Sequence, residues 1–239
     1  MIALLALAVL AADPAPAFED CPLGYKQLEP GACLAAPKEP VAVIVYLHGM
    51  FEPGKLPKRV NEFTSLADAA AKKRFAVLAI QGEVGLCYWS KDALRARCWP
   101  NDLAQKEKVP PLQARVESAL RQSRGVTGDL GRPWLMGFSN GGYGVVMLLS
   151  ESTLDAAGYI VAHGGEVTGM KYPAPRMRPM LLLGAKADYM MMGSMKRLAR
   201  GLDDNKWPYT FTWREGVHEL NPEDAQNAVE FVSKNVTKP

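Results

Sequence analysis

At 239 residues, with 48% hydrophobic and 22% charged side chains, the chain has the make-up of one globular domain, long enough for one sizeable core and short for two. Its 28 basic and 25 acidic residues leave a formal charge of +3, and no basic run exceeds Lys72-Lys73-Arg74, which argues against a dedicated nucleic-acid surface. Glycine and proline are scattered without period or repeat, which excludes collagen, coiled coil and long disordered linkers.

Met1 to Ala12 carry no charged side chain and are almost all Ala, Leu, Ile and Val, followed by the Pro-rich stretch at 13–17. An apolar run of this length is too short to span a bilayer, which needs about 20 residues, and suits the apolar part of a secretory signal, although nothing basic precedes it. Residues 1–17 are therefore read as a signal peptide, 18–239 as the mature domain, and the protein as secreted or periplasmic without stable membrane insertion. Four cysteines fall into two close pairs, Cys21 with Cys33 and Cys87 with Cys98. In an exported chain this predicts two disulfides, each worth roughly 3 kcal/mol through loop closure. Four thiolates can also hold a structural zinc, but zinc pairs normally show Cys-x2–4-Cys spacing and neither pair does, so no metal is expected.

Beyond Pro40, short apolar runs alternate with amphipathic stretches. The β-branched run 41–47 (VAVIVYL), ending at His48-Gly49, reads as a strand buried on both faces. Runs at 75–80, 133–138, 158–162, 180–183 and 209–213 predict five more strands. Phe63, Leu66, Ala67 and Ala70 mark one helical stripe. Leu112, Val116, Ala119 and Leu120 mark a second, behind Pro110 and Pro111, while residues 143–149 read as a third helix. The last helix starts at Asn221-Pro222, a cap and a first-turn proline, with Ala225, Ala228, Val229 and Val232 turned to the core. Strand, helix, strand throughout predicts an α/β fold, a mostly parallel central sheet with helices on both faces.

A ligand of such a sheet sits at the carboxyl ends of the strands. After the 133–138 strand the sequence reads Gly137-Phe138-Ser139-Asn140-Gly141-Gly142 and then turns helical. Gly-x-Ser-x-Gly between strand and helix places the serine on a tight turn, where crowded backbone demands small neighbours. A serine hydroxyl is a weak nucleophile and needs an imidazole to take its proton, itself oriented by a carboxylate. Of three histidines, His48 and His163 follow strands and His218 lies between the last strand and last helix; Asp188 stands past Leu183-Gly184. The chain order Ser139, Asp188, His218 belongs to one particular arrangement of this triad.

On these residues, His48-Gly49 after a strand, Gly137-Phe138-Ser139-Asn140-Gly141, Asp188 after Leu183-Gly184 and Gly216-Val217-His218 before the terminal helix, the sequence resembles the α/β-hydrolase family from about residue 41 to its end. The resemblance implies a single domain without a large cap, Ser139 as nucleophile, Asp188 as acid and His218 as base. It implies oxyanion donors at the backbone N–H groups of Asn140 and Met50. The chain looks most like compact secreted esterases and dienelactone-hydrolase-like members, but departs from true dienelactone hydrolases, which carry Cys in place of the elbow serine.

His48 is expected to order the oxyanion loop, and Glu166 is the rival acid. His163, Trp89 and Met190 are expected to line the substrate pocket, while Trp89 and Trp99 also suit anchoring of the cysteine loop. The function expected is a serine carboxylic-ester hydrolase working through an acyl-enzyme on a small or polymeric ester, needing no cofactor and acting as a monomer. A catalytically silent binding protein on the same fold and a small serine peptidase are the alternatives; the first commonly lacks a triad member, and here none is missing.

Overall fold

In the computed structural model, which describes residues 21–53, 60–88 and 90–236, the six anticipated strands all form. The signal segment 1–17 and Trp89 lie outside the described residues. The strands are β3 (Ala42–Leu47), β4 (Phe75–Ile80), β7 (Trp134–Phe138), β8 (Gly158–Ala162), β9 (Met180–Ala185) and β10 (Tyr209–Arg214). Two further strands at the amino end, β1 (Lys26–Glu29) and β2 (Ala32–Ala35), form a hairpin that extends the sheet. A two-stranded ribbon, β5 (Glu83–Val84) with β6 (Arg97–Cys98), stands apart.

The eight-stranded sheet has the order β1-β2-β4-β3-β7-β8-β9-β10, parallel from β4 to β10 and antiparallel at β1, β2 and the β2–β4 join. The buried apolar strands serve two cores at once. Val43, Val45 and Leu47 of β3 face one apolar cluster while Ile44 and Tyr46 face the other, the two-residue period of a strand covered on both sides. Helices α2 (Val109–Thr127), α3 (Asn140–Glu151) and α4 (Met192–Asp204) cover the first face, and α1 (Val60–Lys72) and α5 (Pro222–Asn235) the second.

The caps explain where the helices begin. Pro110 and Pro111 open α2, where a missing N–H costs nothing. Asn221 caps α5 in a reciprocal box, its Oδ1 accepting from Asp224 N–H at 3.0 Å while Asp224 Oδ2 accepts from Asn221 N–H at 3.3 Å. In α1 the buried stripe is Phe63, Leu66, Ala69 and Ala70, with Ala67 half-buried, a shift of the anticipated face. Helix α4 was not legible in the sequence. No side chain caps it, its first turn contains Gly193 and Ser194, and only its buried Met195, Leu198, Ala199 and Leu202 give it amphipathic character.

Both anticipated disulfides form: Cys21 to Cys33, and Cys87 to Cys98, with Cα atoms 5.7 and 5.9 Å apart. Among the described residues no helix is long and apolar enough to cross a membrane.

Candidate active site

The strand β7 and helix α3 meet at Ser139, whose backbone adopts φ 53° and ψ −119°. That left-handed region is uncommon for a residue with a Cβ and is held here by its surroundings. Ser139 N–H is tied to Ala162 O at 2.8 Å at the end of β8. A Cβ on Gly137 would lie 2.0 Å from the carbonyl oxygen of Gly141, and a Cβ on Gly141 would lie 2.0 Å from that of Leu47. The glycines of the motif are thus required by close approach of backbone to backbone, which seats the start of α3 against the end of β3.

The three predicted catalytic side chains come together from three loops. Ser139 Oγ lies 2.8 Å from His218 Nε2, and His218 Nδ1 lies 2.8 Å from Asp188 Oδ2. Asp188 is 1% exposed, in the loop between β9 and α4, and its Oδ1 accepts from Met191 N–H at 3.2 Å. Burial pushes the Asp188 carboxyl up, but hydrogen bonds from His218 and His163, together with the Met191 N–H, outweigh it and hold the group below the ordinary carboxylate range. A carboxylate only accepts, so His218 carries a proton on Nδ1, and in the neutral imidazole Nε2 is then the atom that accepts from the serine hydroxyl.

Of the predicted oxyanion donors, Asn140 directly follows this serine and Met50 lies in the loop after β3. Asn140 is the first residue of α3, so its N–H has no intrahelical partner, and neither it nor the N–H of Met50 is hydrogen-bonded among the described residues. The loop carrying Met50 is braced on several sides. His48 Nδ1 contacts Gly49 O at 2.6 Å and its Nε2 accepts from Gly82 N–H at 2.9 Å, so His48 orders the loop as the sequence suggested. The Glu62 carboxylate on α1 accepts from the Tyr46 hydroxyl and from Gly49 N–H at 3.4 Å. Phe51 and Arg97 form an antiparallel bridge, which joins the loop to the ribbon.

No protein-family model matches the sequence, and no curated protein sequence does. Solved structures do match in shape. A Bacillus cereus carboxylesterase superposes with a TM-score of 0.62 at 19% identity, over 85% of this chain and 93% of that one. The Arabidopsis thaliana protein SOBER1 superposes with a TM-score of 0.61 at 15% identity, over 82% of this chain and 99% of that one. YahD, solved with malic acid, superposes with a TM-score of 0.62 at 16% identity, over 85% and 98%. The chain has the α/β-hydrolase fold. It has it as a single domain, an eight-stranded, mostly parallel sheet with helices on both faces.

Within this hydrolase fold, one sequence expectation is corrected. His163 does not line a pocket: its ring is fully buried behind the acid, with Nδ1 2.8 Å from Asp188 Oδ2 and Nε2 3.3 Å from Asp224 Oδ2. The residue follows β8 directly, but its φ of 49° turns the chain away and directs the ring between the β9 loop and α5. Met190 is 71% exposed beside the acid, whereas its neighbour Met191 turns inward, its sulfur 3.6 Å from the Tyr143 hydroxyl. Glu166 is turned to Arg197, at 3.5 Å, with no hydrogen bond to His218. Trp99 is a fully buried anchor whose N–H donates to Asn140 Oδ1 at 2.7 Å and whose indole donates to His48 O at 2.7 Å.

Arg214, Asp224 and Glu62 were not anticipated. Arg214 is buried at the end of β10, donating to Asp224 at 2.9 Å and to the carbonyls of Glu215 and Glu219 at 2.8 Å, a guanidinium fork that fixes the loop carrying His218. The Asp224 signal was present as the third residue of a capping box, but the same box explains it fully without a site. Among the described residues, one cluster offers metal-ligating atoms within reach of one another: His163, Asp188 and His218. Both histidines already meet one carboxylate oxygen at hydrogen-bond distance, and Ser139 occupies the far side of His218. A cavity of about 450 Å³ lies at the other end of the sheet, where Met180 and Tyr209 begin β9 and β10, and touches none of Ser139, Asp188 and His218.

Proposed function

We propose that the protein is an exported serine hydrolase that cleaves a carboxylic ester through an acyl-enzyme on Ser139. The observation that carries this reading is the unbroken chain Ser139 Oγ, His218, Asp188, with both hydrogen bonds at 2.8 Å. A silent binding protein has no need of a serine held in a left-handed turn against an imidazole of the right tautomer.

In this reaction, His218 Nε2 takes the Ser139 proton as Oγ attacks the ester carbonyl, and Asp188 stabilises the imidazolium that forms. The carbonyl oxygen becomes an oxyanion facing the N–H groups of Asn140 and Met50. Each such donor is typically worth about 2.7–4 kcal/mol in the transition state. His218 returns the proton to the leaving alkoxide, and a water then repeats the sequence to release the acid. The exposed apolar side chains of Tyr189, Met190 and Val217, adjacent in sequence to the acid and base, suit an ester with an apolar acyl group. The esterase names carried by structural neighbours, among them the Bacillus cereus carboxylesterase and esterase PE8, support the ester as substrate. Two disulfides and the apolar amino-terminal run support export.

The test is a fluorophosphonate probe with p-nitrophenyl esters of increasing acyl length. Labelling at Ser139, lost in Ser139→Ala along with about 10⁴-fold or more of kcat, is the expected result. Full ester hydrolysis by the alanine variant overturns the reading, and cleavage of a peptide but no ester makes the protein a peptidase.

A further inference from the structure

A serine hydrolase needs one imidazole on its acid, and this protein places two there, one of them, His163, fully buried. His218 Nδ1 and His163 Nδ1 both lie 2.8 Å from the same oxygen, Asp188 Oδ2. The His163 ring is 0% exposed, its edge meets the rings of Phe138 and His218 at centroid distances of 5.7 and 5.6 Å, and its backbone N–H is bonded to Leu183 O at 2.8 Å. On the far side, its Nε2 is 3.3 Å from Asp224 Oδ2 and 3.5 Å from an Arg214 guanidinium nitrogen. The groups around it come from every neighbouring element: Asp188 after β9, Arg214 at the end of β10, His218 in the following loop and Asp224 in the first turn of α5.

We infer that His163 is a positioning residue of the hydrolytic site, a second N–H donor that locks the Asp188 carboxylate in the plane of His218 and ties it to α5 and β10. The inference rests on the proposed reaction for its kinetic consequences, and on geometry alone for the bond itself. A carboxylate accepts and cannot donate, so the His163 proton facing Asp188 sits on Nδ1. With two imidazole donors on Oδ2 and the Met191 N–H on Oδ1, the carboxylate is bonded from three directions and has no freedom to rotate away from the base. The donor also stabilises the ionised form: it is among the causes that hold the Asp188 carboxyl low against its own burial. Simple space-filling does not account for the residue. His163 keeps a left-handed backbone, φ 49°, which a side chain with a Cβ adopts at a cost and which the surrounding structure must enforce. An apolar ring of similar size would leave a lone pair of a buried carboxylate bare.

Two variants separate positioning from packing. His163→Leu removes the donor; His163→Asn keeps an amide N–H at the same number of bonds from the backbone as Nδ1 and gives up the reach to Asp224. For folded proteins of wild-type near-ultraviolet circular dichroism, His163→Leu is expected to lose about tenfold or more in kcat with KM within about twofold. The low-pH limb of its kcat/KM profile, which reports the base, should move upward by about half a pH unit or more, because an Asp188 carboxylate that has lost one donor attracts the His218 proton more strongly. His163→Asn should recover most of the kcat and return the limb towards its original position. Wild-type activity and an unmoved limb in His163→Leu overturn the inference. Nuclear magnetic resonance of the intact protein with ¹⁵N-labelled histidine reads the bond without any substrate. A slowly exchanging, low-field Nδ1 proton assigned to His163, alongside that of His218, is expected in wild type and in Ser139→Ala. Its absence overturns the inference even where His163→Leu does not fold. Should Ser139→Ala keep full activity while the His163 proton is present, the hydrolase reading fails and the bond stands.

Discussion

The indole N–H of Trp99 donates to the carbonyl oxygen of His48 at 2.7 Å, and so fastens the disulfide-closed loop to the first residue past β3. The same tryptophan donates its backbone N–H to the side chain of Asn140, so a single residue braces both halves of the candidate oxyanion hole. Trp99→Phe keeps an aromatic ring, though a smaller one, and removes the indole donor, leaving a buried carbonyl unpaired at about 1–3 kcal/mol in addition to the lost packing. The expected outcome is a lower melting temperature and a fall of about tenfold in kcat with little change in KM. A change in melting temperature alone would make Trp99 a core residue and nothing more.

The Cys87–Cys98 bond belongs to the same brace. Cys87, Cys98, Leu86, Ala93 and Ala96 form a small apolar cluster against which Met50 packs, and Arg97 bridges to Phe51. Replacing both cysteines with serine should cost roughly 3 kcal/mol, the loop-closure contribution of a ring this size. If Met50 N–H is an oxyanion donor, as proposed, it serves the carbonyl of every ester, and kcat for acetate and for bulky esters should fall together. A rise in KM confined to bulky esters would identify the loop as a pocket wall instead.

Asp188→Asn tests the acid. The amide turns an N–H towards His218 or presents a weaker acceptor, and with the wrong tautomer favoured, kcat should drop on the order of 10⁴-fold in a folded protein. Glu166→Gln should stay within about twofold of wild type, since its carboxylate is engaged with Arg197 and not with the base. Steady-state kinetics on the two variants side by side decide between the carboxylates.

Asp224 sets a pH dependence of stability. Burial pushes its carboxyl up, hydrogen bonds from His163 and Arg214 outweigh this, and the group lies below the ordinary carboxylate range. A lowered value in the folded state means the contribution is fully present above the unfolded value of about 3.9 and is lost as pH falls through the folded one. Asp224→Asn strands the buried Arg214 charge and should destabilise the protein by about 3 kcal/mol at pH 7. The gap between variant and wild type should persist down to about pH 5 and narrow steadily below about pH 4. Urea unfolding at pH 7, 5 and 3 reads it; a gap that widens in acid would mean that Asp224 is not ionised in the native protein.

The α/β architecture and the three residues that meet in the candidate triad, Ser139, Asp188 and His218, were legible in the sequence because each rests on a local pattern. Continuous β-branched runs specify buried strands, proline and asparagine mark where α2 and α5 begin, and Gly-x-Ser-x-Gly records the backbone crowding of the elbow at Ser139 within five consecutive positions. The cysteine pairs were legible for the same reason, each bond closing a separation of only 12 or 11 residues. Helix α4 and the β1–β2 hairpin left weak local signals, and both are stabilised by what they pack on. The role of His163 was decided by tertiary structure alone. Its position after a strand pointed to the pocket, and only a left-handed turn of one residue sent the ring behind Asp188. Arg214 and Asp224 have ordinary local explanations as a strand end and a helix cap, and it is the convergence of β8, β9, β10 and α5, distant in sequence, that brings two carboxylates, a guanidinium and an imidazole into hydrogen-bond range. A one-dimensional pattern records what a residue's neighbours in the chain demand; a buried polar network depends on charges delivered from elsewhere, where an unpaired one costs too much to remain.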